Sequence, residues 1–393
     1  MKADIGAVVD RGESTTIMEP LQISDGSPHR AELTELAVEL AAKSAGFRRS
    51  LPEGVVTALA DLVRAMNCYY SNLIEGHNTH PVEIERAMRG DYSDEPRKRD
   101  LQLEARAHVT VQQWIDDGGL DGRAAMREGI EEIHRRFGDL LPDELLWVED
   151  PESGERLRLE PGTLRARDVK VGEHLAISPG AVPRFLERFE AVYSRIGKAE
   201  TILSSAAAHH RLLWIHPFLD GNGRVARLMS YAMLREALDT GGIWSIARGL
   251  ARQESTYKDH LIACDQPRKG EAALPAFTKF FLQTCIDQVT FMEQLVQPNK
   301  LRERIRLWVE EEIRTNRMPS QAANILEAIL YRGEILRGDV AELVGTGDRQ
   351  ARRIIAALLD AGVLQSESTR SPLRIAFPAA LAGRWMPGLF PEA

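Results

Sequence analysis

The sequence predicts a mainly α protein: a helical core carrying one short β-hairpin, followed by a C-terminal winged helix. Three observations predict it. Apolar residues recur at helical spacing through most of the chain before Gln297. Alternation suited to strands is confined to residues 164–178 and to the stretch after Val363. Glycine, proline and charged clusters cut the remainder into lengths ordinary for helices.

At 393 residues, with 44% hydrophobic and 27% charged residues, the chain reads as an ordinary soluble protein of two or three domains. A net charge of −8 argues against nucleic acid or an anionic membrane as its main partner. Cys68, Cys264 and Cys285 are odd in number, far apart and without metal-ligand spacing. They are expected to be buried, reduced thiols. No apolar run reaches membrane-spanning length and the N-terminus has no signal-peptide core, so the expected location is the cytoplasm, with no membrane partner.

Residues 1–30 have little periodicity and read as an extended or poorly ordered arm. Residues 31–118 form an N-terminal helical region. Its first helix runs from about Ala31 to Lys43, with Leu33, Leu36, Ala37 and Leu40 on one face. A second starts at Pro52-Glu53, where proline is tolerated, and runs to Glu75 before the terminator Gly76. Glu75 thus meets the unfavourable end of a helix dipole; a basic partner would relieve it, and a solvated surface glutamate is the plainer alternative. His77 and His80 lie in a polar loop and lack a third metal ligand. Pro81 opens another helix, residues 91–100 read as a charged linker, and Leu101–Ile115 as a helix.

Residues 119–297 hold the main core. Helices are expected over residues 124–137, 182–196 and 199–215, with a short helical start at Pro142. Residues 149–162 read as a loop or insertion, and 164–178, which alternates only partly, as a short hairpin or a plain surface loop, with His174 either lining a site or holding the hairpin. His209 and His210 are expected to pack against neighbours. Further helices begin at Glu254 and Pro275. Residues 300–393 follow a break at Gln297-Pro298-Asn299: two helices, then a helix–turn–helix over 338–361 and a two-stranded wing. Arg349, Gln350, Arg352 and Arg353 open the second of those helices, where a DNA reader carries its contacts. Acidic and basic residues nearly cancel in this region, which weakens the DNA reading.

The densest chemistry lies in His216-Pro-Phe-Leu-Asp-Gly-Asn-Gly-Arg-Val-Ala-Arg227. Gly221 and Gly223 allow positive φ or close approach of a ligand. A helix starts after them, and unpaired N–H groups at such a start favour an anion. Arg224 and Arg227, three apart, add two guanidinium forks suited to a polyphosphate. Asp220 can hold Mg2+ against phosphate oxygens, and His216 can take a proton near neutral pH. His216 alone could equally be a structural histidine; the whole string points to phosphoryl or nucleotidyl transfer.

This string resembles the signature of the Fic family, His-x-Phe-x-(Asp/Glu)-Gly-Asn-Gly-Arg-x-x-Arg, and meets every specified position. The resemblance implies a Fic-type helical core that transfers AMP from ATP to a Ser, Thr or Tyr hydroxyl of a target protein. By it His216 is the base, Asp220 the Mg2+ ligand, Gly221, Asn222 and Gly223 the cradle for the inner phosphates, and Arg224 and Arg227 the grip on the outer ones. Tyr257 falls where the family often lines the adenine pocket, core packing being the alternative. Residues 162–172 resemble the family's flap. Ser71-Asn-Leu-Ile-Glu75-Gly76 resembles its inhibitory motif, which implies a Glu75–Arg227 ion pair in place of the γ-phosphate. Removal of AMP, homodimers, and transfer of another nucleotide remain open, and a nucleotide-responsive DNA-binding regulator is the alternative from another class.

Overall fold

The protein is described by a computed structural model over residues 8–149, 154–266 and 270–391. Residues 1–7 of the expected arm therefore lie outside it. Residues 8–29 run extended, broken by a 3-10 turn at Thr15–Met18, and are packed down rather than loose. Met18, Leu21 and Ile23 are buried, and the Glu13 carboxylate accepts the Ser178 N–H at 2.8 Å. Anchors this remote in sequence leave no local periodicity, so the chain itself does not advertise them.

Four helices follow: α1 (Arg30–Arg49), α2 (Glu53–Ile74), α3 (Pro81–Met88) and α4 (Pro96–Asp116). Proline stands at or just before the first residue of α2, α3 and α4, where its missing N–H costs nothing. The expected charged linker is shorter than predicted, because Pro96 opens α4 ahead of Leu101 and the charges form that helix's wet first turn.

Next come α5 (Arg127–Asp139) and an antiparallel hairpin of β1 (Trp147–Glu149) and β2 (Arg156–Arg158), Val148 facing Leu157. A loop is predicted there. Strands of three residues, each with one apolar position facing the protein, are too short to register as alternation. A second hairpin, β3 (Lys170–Val171) with β4 (His174–Leu175), turns at Gly172 with φ 58 and lies where a hairpin is predicted.

The helices α6 (Val182–Tyr193), α7 (Lys198–Ile215) and α8 (Asn222–Leu238) form the centre, α7 and α8 packing along their lengths. α9 (Ile246–Arg252), α10 (Glu254–Asp265) and α11 (Gly270–Leu295) close the core against α1, α2 and α7. The three cysteines are buried free thiols.

The last quarter holds α12 (Pro298–Arg314), α13 (Ala322–Arg332), β5 (Glu334–Ile335), α14 (Val340–Leu343), α15 (Asp348–Asp360), β6 (Leu364–Gln365), β7 (Leu373–Ile375) and α16 (Ala379–Trp385). Its three strands form an antiparallel sheet in the order β5-β7-β6. This unit is docked on α2. A Cβ at Gly54 would fall 2.1 Å from the Gly333 carbonyl oxygen, and the Tyr70 hydroxyl donates to the Leu389 carbonyl at 2.8 Å. Phe390 packs against both Tyr69 and Tyr70. Among the described residues no helix is long and apolar enough to cross a membrane.

Candidate active site

His216 stands one residue past the end of α7 in the left-handed region, φ 52 and ψ 62. That conformation is unfavourable for a side chain with a Cβ and persists only where neighbours impose it. Arg165 does so. Its backbone N–H donates to the Pro217 carbonyl at 2.9 Å and its Nε to the His216 carbonyl at 2.7 Å. Its other nitrogens bond the carbonyls of Arg167 and Ile177, so one buried guanidinium ties the β3–β4 segment to the loop after α7. Burial pushes the Arg165 pKa down to about 10, leaving it charged at neutral pH. The predicted hairpin stretch contains Arg165, but only the loop carbonyls around it reveal its task.

The imidazole has a defined tautomer. Its Nδ1 lies 3.3 Å from the Leu213 carbonyl, which can only accept, so Nδ1 carries the proton and Nε2 offers a lone pair. Burial lowers its pKa to about 4, so the ring is neutral near pH 7. His108, His134 and His209 are likewise lowered by burial, to about 3, 4 and 3. In the unfolded chain these rings take up protons below about pH 6.5. Folding stability is therefore expected to fall as pH drops from about 6.5 to about 4, by several kcal/mol in total and on the order of 10 °C in melting temperature. Melts at pH 7, 5 and 4 check this; a flat profile contradicts it.

The loop between His216 and α8 is locked from inside. Phe218 is fully buried and stacks on His134, ring centroids 3.9 Å apart. The Asn222 amide is consumed by Phe218, accepting its N–H at 3.0 Å and donating to its carbonyl at 2.9 Å. Asn222 therefore holds the loop's shape, and only its backbone N–H remains for an anion, a narrower part than its place in the signature implies. Gly221 has φ 79, and Gly223 sits where an added Cβ would lie 2.3 Å from the Glu75 carboxylate. Helix geometry leaves the first N–H groups of α8 without intrahelical partners beside this gap.

The two arginines diverge. Arg227, 5% exposed, donates from Nε to the Ser71 hydroxyl at 2.8 Å and forms an ion pair with Glu75. Burial pushes the Glu75 carboxyl up, but the charge and hydrogen bond of Arg227 outweigh it and hold it below the ordinary carboxylate range. Arg224 lies over the Phe137 ring at 4.6 Å, with Nη2 3.3 Å from Asp220 and Nη1 3.5 Å from Glu104. Asp220 is exposed at the rim. A cleft of about 230 Å³ opens beside it, lined by Phe137, Trp147, Leu159, Asp220, Gly221 and Arg224. Glu104 and the Trp147 hairpin carry no motif by which the sequence could have flagged them.

Four further residues that the sequence singles out have partners of their own. Tyr257 is buried with its hydroxyl 2.7 Å from His209 Nε2, amid Phe277 and its neighbours and within reach of the Arg227 guanidinium. His174 donates from Nε2 to the Trp214 carbonyl at 2.8 Å and thereby holds its hairpin on α7. His77 and His80 do not converge: His77 bonds Glu104 at 3.0 Å, while His80 caps α3.

The sequence pattern of the Fic/DOC family matches residues 127–234, which span α5 to α8 and the whole of this loop. The chain carries a Fic/DOC family domain. Curated relatives named protein adenylyltransferase Fic match parts of it. That of Drosophila erecta is 37% identical over 81 residues, 20% of this chain and 16% of its own. That of Nematostella vectensis is 28% identical over 194 residues, 48% of this chain and 42% of its own. The chain thus spans less than half the length of these relatives. Among solved structures, a Fic family protein from Desulfovibrio desulfuricans G20 superposes with TM-score 0.54 at 18% identity, covering 90% of this chain and 98% of that one. A Fic domain containing signaling protein from Bacteroides thetaiotaomicron superposes with TM-score 0.50 at 19% identity, covering 66% of this chain and 96% of that one. At such identities these likenesses speak for the fold, a mostly helical one with small antiparallel hairpins.

Proposed function

We propose that the Fic domain is a protein adenylyltransferase restrained by its own Glu75. The observation that carries this is a neutral imidazole with a free Nε2 at the entrance to a helix start flanked by two arginines. The adenylyltransferase name of the relatives supports it. In the reaction Nε2 takes the proton of a Ser, Thr or Tyr hydroxyl on the target protein as its oxygen bonds the α-phosphorus of ATP. The bond from that phosphorus to the bridging oxygen breaks and pyrophosphate leaves. The N–H groups of the Gly221–Gly223 turn face the inner phosphates, and Arg224 and Arg227 the outer ones.

Asp220 suits Mg2+, an exposed carboxylate whose sole ion pair among the described residues is the loose one to Arg224. Bound with the nucleotide, the metal would neutralise phosphate charge. Glu75 opposes binding because a carboxylate already on the Arg227 fork competes with a phosphate for it. Label from α-32P-ATP should appear on protein when the Glu75→Gly variant meets its target or itself. Absence of label, with ATP bound, would sink the reading. Removal of AMP by the same site, a homodimer that modulates the inhibition, and the cytoplasm as compartment complete the proposal; the last suits three unpaired cysteines.

A second reading concerns the C-terminal unit, whose helix–strand–helix–helix–strand–strand order we take as a winged helix. Arg349, Arg352 and Arg353 on α15 are exposed, with no ion pair among the described residues, as a DNA-reading helix requires. Anisotropy titration with duplex DNA at low salt is expected to show binding that weakens as salt rises, and about tenfold weaker binding by Arg349→Ala. No binding at low salt would leave the unit as a partner-binding or structural module.

A further inference from the structure

Both arginines of the signature meet carboxylates from the N-terminal helices, and only one of those carboxylates belongs to a recognisable motif. Glu104, half-buried on α4, is the other. Its Oε2 lies 3.5 Å from Arg224 Nη1 and 3.0 Å from Nδ1 of His77, which must donate, since a carboxylate only accepts. Phe137 supports the guanidinium from below at 4.6 Å. This leaves the opposite edge of the fork. Nη2 has only the 3.3 Å contact with Asp220, and Nε is buried with no hydrogen-bond partner among the described residues. A buried, unpaired N–H is unfavourable, and a ligand oxygen is a ready way to satisfy it.

We infer that Glu104 is a positioning residue for the nucleotide: it holds Arg224 by Nη1 so that the Nε/Nη2 edge is turned toward a phosphate. The inference rests on the reading that Arg224 meets the outer phosphates of ATP. Glu104 differs from Glu75 in consequence. Glu75 occupies the arginine that a phosphate needs, whereas Glu104 takes the nitrogen that a side-on phosphate does not. His77, two residues beyond Glu75, fixes Glu104 from the other side. The turn after α2 therefore touches both arginines, Arg227 directly and Arg224 through Glu104.

The test uses the full chain carrying Glu75→Gly, so that turnover is measurable. Glu104→Ala is expected to raise KM for ATP about tenfold with kcat within about twofold, the loss of one charge-assisted contact. Glu104→Gln, whose amide oxygen still accepts from Nη1, is expected to restore most of the affinity. An unchanged KM overturns the inference. A lower KM does so as well, since it makes Glu104 a competitor of phosphate, and so does a fall in kcat and melting temperature with KM unmoved. Should the alanine variant not fold, Glu104→Asp reads the same contact, its carboxylate falling one methylene short. It is expected to raise KM at least about threefold, and no rise overturns the inference. Arg224→Ala separates the two readings. If it raises KM while the Glu104 variants do not, Glu104 alone loses its role; if it leaves KM unchanged, the phosphate reading of the arginine fails.

Discussion

Glu75→Gly is expected to raise AMP transfer by on the order of a hundredfold, the effect of freeing a guanidinium from a charge-assisted contact of a few kcal/mol. The carboxylate sits on Arg227, beside Gly223, where an anion entering the helix start must also sit. The same change should lower the stability of the ATP-free protein. Arg227 is 5% exposed and would keep Ser71 and Tyr257, and losing its partly exposed carboxylate partner destabilises by roughly 1–3 kcal/mol. Two opposite signs are thus expected from one substitution: faster transfer and a lower melting temperature without nucleotide. Bound ATP should raise that temperature more in the variant than in the parent protein, because it replaces the missing negative charge. Label-transfer rates and melts with and without ATP check both. Equal transfer rates in the two proteins would remove the inhibitory role of Glu75.

His216→Ala, made in the Glu75→Gly protein, is expected to abolish transfer by about 10²–10⁴-fold, the range supplied by a positioned general base. ATP affinity should stay within about twofold, since the N–H groups and arginines are untouched. The left-handed backbone at residue 216 complicates a bare alanine, which gains nothing there to offset the strain. His216→Asn is the better partner variant, because asparagine tolerates that conformation and cannot serve as a base. If both variants bind ATP and neither transfers AMP, the base is His216. If asparagine retains the parental rate, the imidazole is dispensable and the proton goes elsewhere.

The legibility of this chain divides along the range of the forces involved. The twelve residues from His216 to Arg227 announce a glycine turn, a helix start and a cluster of charge because all of these are local, and the turn and helix stand where they are predicted. Local too are the proline-opened helices and the hairpin turning at Gly172. The Trp147 hairpin leaves no such signal, because strands of three residues are too short for alternation to register. The helix of Tyr257 suits a pocket wall and a core equally, and its contacts with His209, Phe277 and Arg227 are made only by folding.

From the sequence alone came the kinds of group available, which helices would form, and the turn from which a base and two guanidiniums project, since propensity and spacing act over a few residues. Folding in three dimensions decided what those groups meet. It set the Asn222 amide inward on Phe218, Arg165 beneath the His216 loop and Glu104 against Arg224. Those contacts join segments as much as 120 residues apart, and a hydrogen bond, unlike helical periodicity, leaves no trace along the chain that has to fold to make it.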